Sequence, residues 1–133
     1  MPKPAILCVD DDTVVLESLK EQLKRRFGRR YSYETAQSAA EALEILEELD
    51  NDGIPILLAI SDWLMPGMKG DEFLIEVHRK FPKVIKIMLT GQADEEAIAR
   101  AKEQANLHYC LRKPWDENEL AESILSGLEM LDE

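Results

Sequence analysis

The apolar residues of this chain alternate between short continuous runs and stripes at helical spacing, and no other feature limits its fold so tightly. Ala5–Val9 is a strand-like run. Val15, Leu19, Leu23 and Phe27 then share one i,i+4 stripe that ends near Gly28. Residues 31–35 form a weaker, more polar run suited to a sheet edge. Ser38 and Glu41 make an S-x-x-E capping box, opening a helix with Ala42, Leu46 and Leu49 inward, and Asn51-Asp52-Gly53 breaks it. Residues 55–61 are the most apolar run, as a central strand covered on both faces requires. A loop with Pro66, Gly67 and Gly70 leads to a helix carrying Phe73, Leu74, Val77 and Phe81, punctuated by Pro82. A fourth strand over 84–89, a thin alanine-rich helix over 94–104 and a fifth strand over 107–111 follow. Asp116 and Glu119 make a second capping box, and the last helix buries Leu120, Ile124, Leu128 and Leu131.

Five consecutive strand–helix units, with no linker, repeat or low-complexity tract between them, build an α/β domain. Its sheet is parallel and carries helices on both faces. The 133 residues have the size of one domain, and 45% apolar residues suffice for a core. In such a sheet the carboxyl ends of the strands open onto one crevice, where ligands bind.

Four polar signals stand at those strand ends. Asp10-Asp11-Asp12 follows the first run, Asp62 the third, Thr90 the fourth and Lys113 the fifth. One carboxylate of the triplet is enough to cap the next helix and meet its dipole. Three adjacent acids repel one another unless a cation or proton relieves them, so the triplet also suits a metal. Asp62 read alone is a turn aspartate, Thr90-Gly91 a hydroxyl turn, and Lys113-Pro114 a turn with a solvated lysine. Together they suit phosphoryl chemistry on a carboxylate. Clustered acids can hold Mg²⁺, while a hydroxyl and an ammonium can hold a phosphoryl group.

The charge balance excludes several other roles. Sixteen basic against 27 acidic residues give a net charge of −11, which repels nucleic acid. The basic cluster Lys24, Arg25, Arg26, Arg29 and Arg30 lies at a helix end and reads as a complement to the helix dipole. The longest apolar stretch, residues 54–60, is too short to span a bilayer. Met1-Pro2-Lys3-Pro4 lacks a signal-peptide layout, so a cytoplasmic protein without membrane contact is expected. Cys8 and Cys110 lie in separate strand runs with no zinc-like spacing and are expected as reduced thiols.

The order of these segments resembles a response-regulator receiver domain of two-component signalling. The resemblance rests on Ile6-Leu7-Cys8-Val9-Asp10-Asp11, on Ser61-Asp62-Trp63-Leu64-Met65-Pro66-Gly67-Met68-Lys69-Gly70, on Leu89-Thr90-Gly91 and on Lys113-Pro114-Trp115. It covers essentially the whole chain. It implies a flavodoxin-like (βα)5 fold with strand order 2-1-3-4-5. It implies Asp62 as phosphoacceptor, Asp10, Asp11, Asp62 and the backbone carbonyl of Leu64 as Mg²⁺ ligands, Thr90 as the hydroxyl that engages the phosphoryl oxygen, and Lys113 as the pairing cation. The implied donor is a sensor histidine kinase or a histidine phosphotransfer protein. The implied recipient of the signal is an output domain or protein, and a homodimer through the fourth helix, fifth strand and fifth helix is a further implied partner. Residues 1–133 would then be one receiver domain, alone or as a piece of a longer regulator or hybrid kinase. Such a domain is a switch that gains and loses its own phosphoryl group rather than a turnover enzyme.

Two positions depart from the family pattern. Lys69 stands where an acid is common, and Cys110 stands three residues before Lys113, where the family places its switch aromatic. Tyr109 is adjacent but points to the other face of its strand, so a changed or weaker switch readout is expected. A rival reading takes Asp10-x-Asp12-x-Val14 as the nucleophile motif of a haloacid dehalogenase-type phosphatase, with Asp10 attacking and Thr90 and Lys113 assisting. It leaves Asp62 without a role and finds no later acidic motif or cap domain. A phosphorylation-independent interaction domain is the other rival, and the complete set of acids, threonine and lysine argues against it.

Overall fold

A computed structural model describes residues 3–92 and 95–131. Five strands, β1 (Ala5–Val9), β2 (Ser32–Ala36), β3 (Ile56–Asp62), β4 (Ile85–Thr90) and β5 (Tyr109–Arg112), alternate with five helices. The helices are α1 (Thr13–Phe27), α2 (Ala39–Asn51), α3 (Gly70–Lys80), α4 (Glu95–Gln104) and α5 (Glu117–Leu131). All strand pairs are parallel, in the order β2-β1-β3-β4-β5. The apolar β3 is central and the polar β2 is at an edge, as their compositions require.

Strand alternation divides the core into two layers. Ile6, Cys8, Leu58, Ile60, Ile87, Leu89 and Leu111 face α1 and α5. Leu7, Val9, Ala59 and Met88 face α2, α3 and α4. Helix α1 buries Leu16, Leu19, Leu23 and Phe27, so Leu16 takes the inward place expected of Val15, which packs at the margin. Cys8 belongs to one layer and Cys110 borders the other, three strands away, and both thiols are free. Burial pushes the Cys8 thiol up to about 12.

Helix starts follow the caps in the sequence. Ser38 Oγ accepts the Glu41 N–H at 3.1 Å, while Glu41 reaches back to the Gln37 N–H at 3.5 Å rather than to Ser38 itself. Asp116 Oδ1 accepts the Asn118 N–H at 2.7 Å at the start of α5. Trp115 packs beside the α1–α5 layer and donates its indole N–H to Gln22 of α1 at 2.8 Å. Of the basic cluster, Arg25 and Arg26 reach Glu117 of α5 at 2.8 and 3.3 Å, which fastens the end of one helix to the start of the other. Residues 1–2, Asp94 at the expected start of the fourth helix, and the acidic end at Asp132 and Glu133 lie outside the described residues.

Candidate functional site

Parallel pairing brings the four strand-end signals to one edge of the sheet. Val9 pairs with Ser61 across β1 and β3, so Asp10 and Asp62 stand one residue beyond the same rung. Asp62 pairs with Leu89, which puts Thr90 one residue further on the neighbouring strand, opposite Arg112. The N–H of Lys113 donates to the Thr90 carbonyl at 2.9 Å, fixing where the lysine stem leaves the sheet. The Lys113–Pro114 bond that follows is cis.

The three consecutive acids divide their work. Asp12 is the N-cap of α1 and its side chain accepts the Val14 N–H at 2.9 Å. Capping is thereby satisfied by one residue, leaving two carboxylates for another task. Asp10 is fully buried, its Oδ1 accepting the Asp12 N–H at 2.9 Å. Asp11 is exposed. One carboxylate oxygen each from Asp10, Asp11 and Asp62 lies within 4.8 Å of the others.

Lys113 joins the two buried acids. Its Nζ is 2.8 Å from Asp10 Oδ2 and 2.8 Å from Asp62 Oδ1. Burial works against the ammonium, but the hydrogen bonds and charges of Asp10 and Asp62 outweigh it, and the Lys113 pKa is raised. The Asp62 pKa is also raised. Burial is the main cause and the charges of Asp10 and Asp11 add to it, against the hydrogen bond from Lys113. Three carboxylates and one ammonium leave the pocket two charges short of neutral. A divalent cation bound by oxygen ligands fits that deficit and that donor set.

Thr90 is buried, and its Oγ1 accepts the Gln92 N–H at 3.1 Å. Leu64 lies in the loop after β3 with an exposed side chain. Gly70 closes the loop, donating its N–H to the Trp63 carbonyl at 2.8 Å. Beside Thr90 is a cavity of about 250 Å³, lined also by Ile98, Lys102, Cys110 and Arg112. Tyr109, on the other face of β5, is partly exposed and donates its hydroxyl to Glu119 at 2.8 Å.

Sequence reasoning did not find two separate buried charged residues, Asp71 and Lys86. Asp71 looks like an ordinary acid in a helix first turn, but it is 1% exposed and accepts the Trp63 indole N–H. Lys86 is 1% exposed within β4, its Nζ 2.9 Å from His78 Nδ1. The available signals were a tryptophan whose N–H needs an acceptor, and a lysine at an inward-facing strand position.

A family model described as a response regulator receiver domain matches residues 6–125. The hydrogenase transcriptional regulatory protein HoxA of Cupriavidus necator is 29% identical over 124 residues, 93% of this chain and 24% of that protein. The sensor kinase CckA of Brucella abortus is 32% identical over 127 residues, 96% of this chain and 13% of that protein. The chain thus spans about a quarter or less of the length of these curated relatives. The solved signal receiver domain of an HD domain-containing protein from Pseudomonas fluorescens Pf-5 superposes with a TM-score of 0.86 at 32% identity, over 98% of each chain. A CheY-like response regulator receiver domain protein from Methanospirillum hungatei JF-1 gives 0.85 at 32% identity, over 98% of this chain and 97% of that one. The haloacid dehalogenase reading finds no support in these matches, and Asp10, its nucleophile, is buried with both oxygens engaged.

Proposed function

The chain belongs to the response-regulator receiver domain family, the phosphoacceptor modules of two-component signalling, and from that premise we propose that Asp62 is its phosphoacceptor. The observation that carries this reading is the Lys113 ammonium held 2.8 Å from Asp62 in the pocket where three carboxylates converge. The Asp62 carboxylate attacks the phosphorus of a phosphohistidine donor. A P–O bond forms, the P–N bond breaks, and the leaving imidazole takes up a proton.

Little covalent chemistry is left to the protein, so positioning and neutralisation are its task. Lys113 holds Asp62 and Asp10 together and meets the incoming charge as a mobile point cation. We assign Thr90 the hydroxyl that engages a phosphoryl oxygen. Asp10, Asp11 and Asp62, with the Leu64 carbonyl, are the proposed Mg²⁺ ligands. When bound, the ion offsets the negative charge of the phosphoryl oxygens.

The chain acts in this reading as a switch rather than a turnover enzyme. Its donor is a sensor histidine kinase or a histidine phosphotransfer protein, and its recipient an output domain or protein. A homodimer through α4, β5 and α5 is a further proposed mode. No direct contact with nucleic acid or membrane is proposed, and the location is cytoplasmic. A net charge of −11 supports the first point, and among the described residues no helix is long and apolar enough to cross a membrane. Residues 1–133 are proposed as one receiver domain, standing alone or within a longer regulator or hybrid kinase.

The test is phosphorylation by acetyl phosphate with Mg²⁺, read by intact mass. Wild type gains one phosphoryl group and Asp62→Asn gains none. Equal incorporation in the two would remove Asp62 from its role.

A further inference from the structure

The residue after Asp62 is tied to α4 by side chains that take no part in holding the metal or the phosphoryl group. Trp63 is pinned on both sides of its backbone. Its N–H donates to the Leu89 carbonyl of β4 at 2.8 Å, and its own carbonyl accepts the Gly70 N–H at 2.8 Å. The indole is buried, with the Lys69 ammonium 5.1 Å from the ring centroid. Its N–H donates to Asp71 Oδ1 at 3.1 Å. The other oxygen, Asp71 Oδ2, accepts Nε and Nη2 of Arg100 on α4, each at 3.1 Å.

Asp71 therefore spends one oxygen on the phosphoacceptor loop and the other on α4. Both Asp71 and the Trp63 indole are buried, so the bond between them cannot be exchanged for water without a desolvation cost, while the half-exposed Arg100 holds the other oxygen from the solvent side. A displacement of Trp63 is consequently passed to Arg100 or breaks a buried pair. The receiving element is suited to respond. The buried side chains of α4 are the two alanines Ala97 and Ala101, so little apolar area holds it in one place.

We propose that Asp71 is a positioning residue that couples the phosphoryl state of Asp62 to the placement of α4, acting through Trp63 and Arg100. The proposal rests on Asp62 being the phosphoacceptor. It supplies a path to the surface that uses neither Thr90 nor β5.

The experiment follows the amide signals of residues 95–104 by NMR in the full chain, before and after acetyl phosphate with Mg²⁺, with intact mass measured in parallel. In wild type these signals move on phosphorylation, together with the indole signal that Trp63→Phe removes. In Arg100→Gln, at a half-exposed position outside the core, phosphoryl uptake matches wild type while the movement of the α4 signals falls about twofold or more. Trp63→Phe gives the same loss, and the double variant loses no more than either single one, because both cut the same connection. Arg100→Lys, which keeps the charge, retains more of the movement than Arg100→Gln. Movement of wild-type size in both single variants, with uptake intact, overturns the coupling and leaves the role of Asp62 standing. Absence of uptake in wild type overturns the phosphoacceptor reading, and this proposal with it.

Discussion

A Cβ atom built on Gly70 would stand 2.1 Å from the carbonyl oxygen of Asp62. The first turn of α3 therefore lies directly against the backbone of the proposed phosphoacceptor, and only a residue without a side chain allows that approach. Helix propensity alone would favour alanine at this position by about 1 kcal/mol. The clash is with backbone rather than with a flexible side chain, so it decides the sign. Gly70→Ala is expected to destabilise the fold by about 2–3 kcal/mol in urea unfolding. A variant as stable as wild type would mean that α3 can withdraw from Asp62 at little cost.

The acidic pocket makes a second prediction. Asp10, Asp11 and Asp62 converge on one point with a single ammonium among them, so a bound divalent cation stabilises the folded state by mass action. At ten times its dissociation constant, Mg²⁺ should raise the unfolding free energy by about 1.4 kcal/mol. Asp11→Asn removes an exposed carboxylate of the proposed ligand set without disturbing Asp10 or Lys113, and should lose most of that gain at the same concentration. Thermal unfolding with Mg²⁺ and with EDTA measures both. Equal gains in the two proteins would take Asp11 out of the ligand set.

The parts of this site that were legible in the sequence are those set by strand ends. Parallel order carries Asp10, Asp62, Thr90 and Lys113 to one edge whatever the details of packing, because each immediately follows or closes an apolar run. Which acid of the triplet caps α1 was not legible in the residues themselves. It depends on Asp12 adopting the extended conformation of an N-cap, at φ −92° and ψ 110°. Strand limits shifted by a residue or two, since hydrogen bonds to a neighbour such as the Thr90–Arg112 rung extend a strand past its apolar run. Asp71 and Lys86 were invisible for a different reason. Their partners, Trp63 with Arg100 and His78 with the Pro82 carbonyl, are supplied by tertiary packing that no local pattern encodes.

Cys110 leads to a third prediction. It borders the cavity of about 250 Å³ beside Thr90, while Tyr109 points the other way and bonds Glu119. The smaller side chain leaves space where a ring can enter without displacing the core. Cys110→Tyr is expected to keep stability within about 1 kcal/mol of wild type. Urea unfolding checks this, and a loss well beyond that size would show that Ile98 and Lys102 already close the space.

Lys86 contributes to the pH dependence of stability. Its ammonium is buried in β4 and burial pushes its pKa down from 10.5 to about 8. His78 offers Nδ1 at 2.9 Å, but no carboxylate pairs with Lys86 among the described residues, and the His78 pKa is itself lowered by burial and by the lysine charge. Between about 8 and 10.5 the unfolded chain binds more protons at this position than the folded one, so the Lys86 contribution to stability rises with pH across that window. Below it the folded state carries the full cost of a buried cation. Lys86→Met, of similar length and without charge, should be more stable than wild type at pH 7 by about 1–2 kcal/mol. The gap should narrow toward pH 10 as the wild-type lysine loses its proton. Urea unfolding of both proteins from pH 8 to 10 isolates the effect, since His78, the neighbour whose titration the lysine charge alters, has lost its proton in both proteins across that window. A wild type more stable than the variant at pH 7 would mean that the His78 nitrogen and the Pro82 carbonyl, 3.5 Å away, offset desolvation more than the lowered pKa implies.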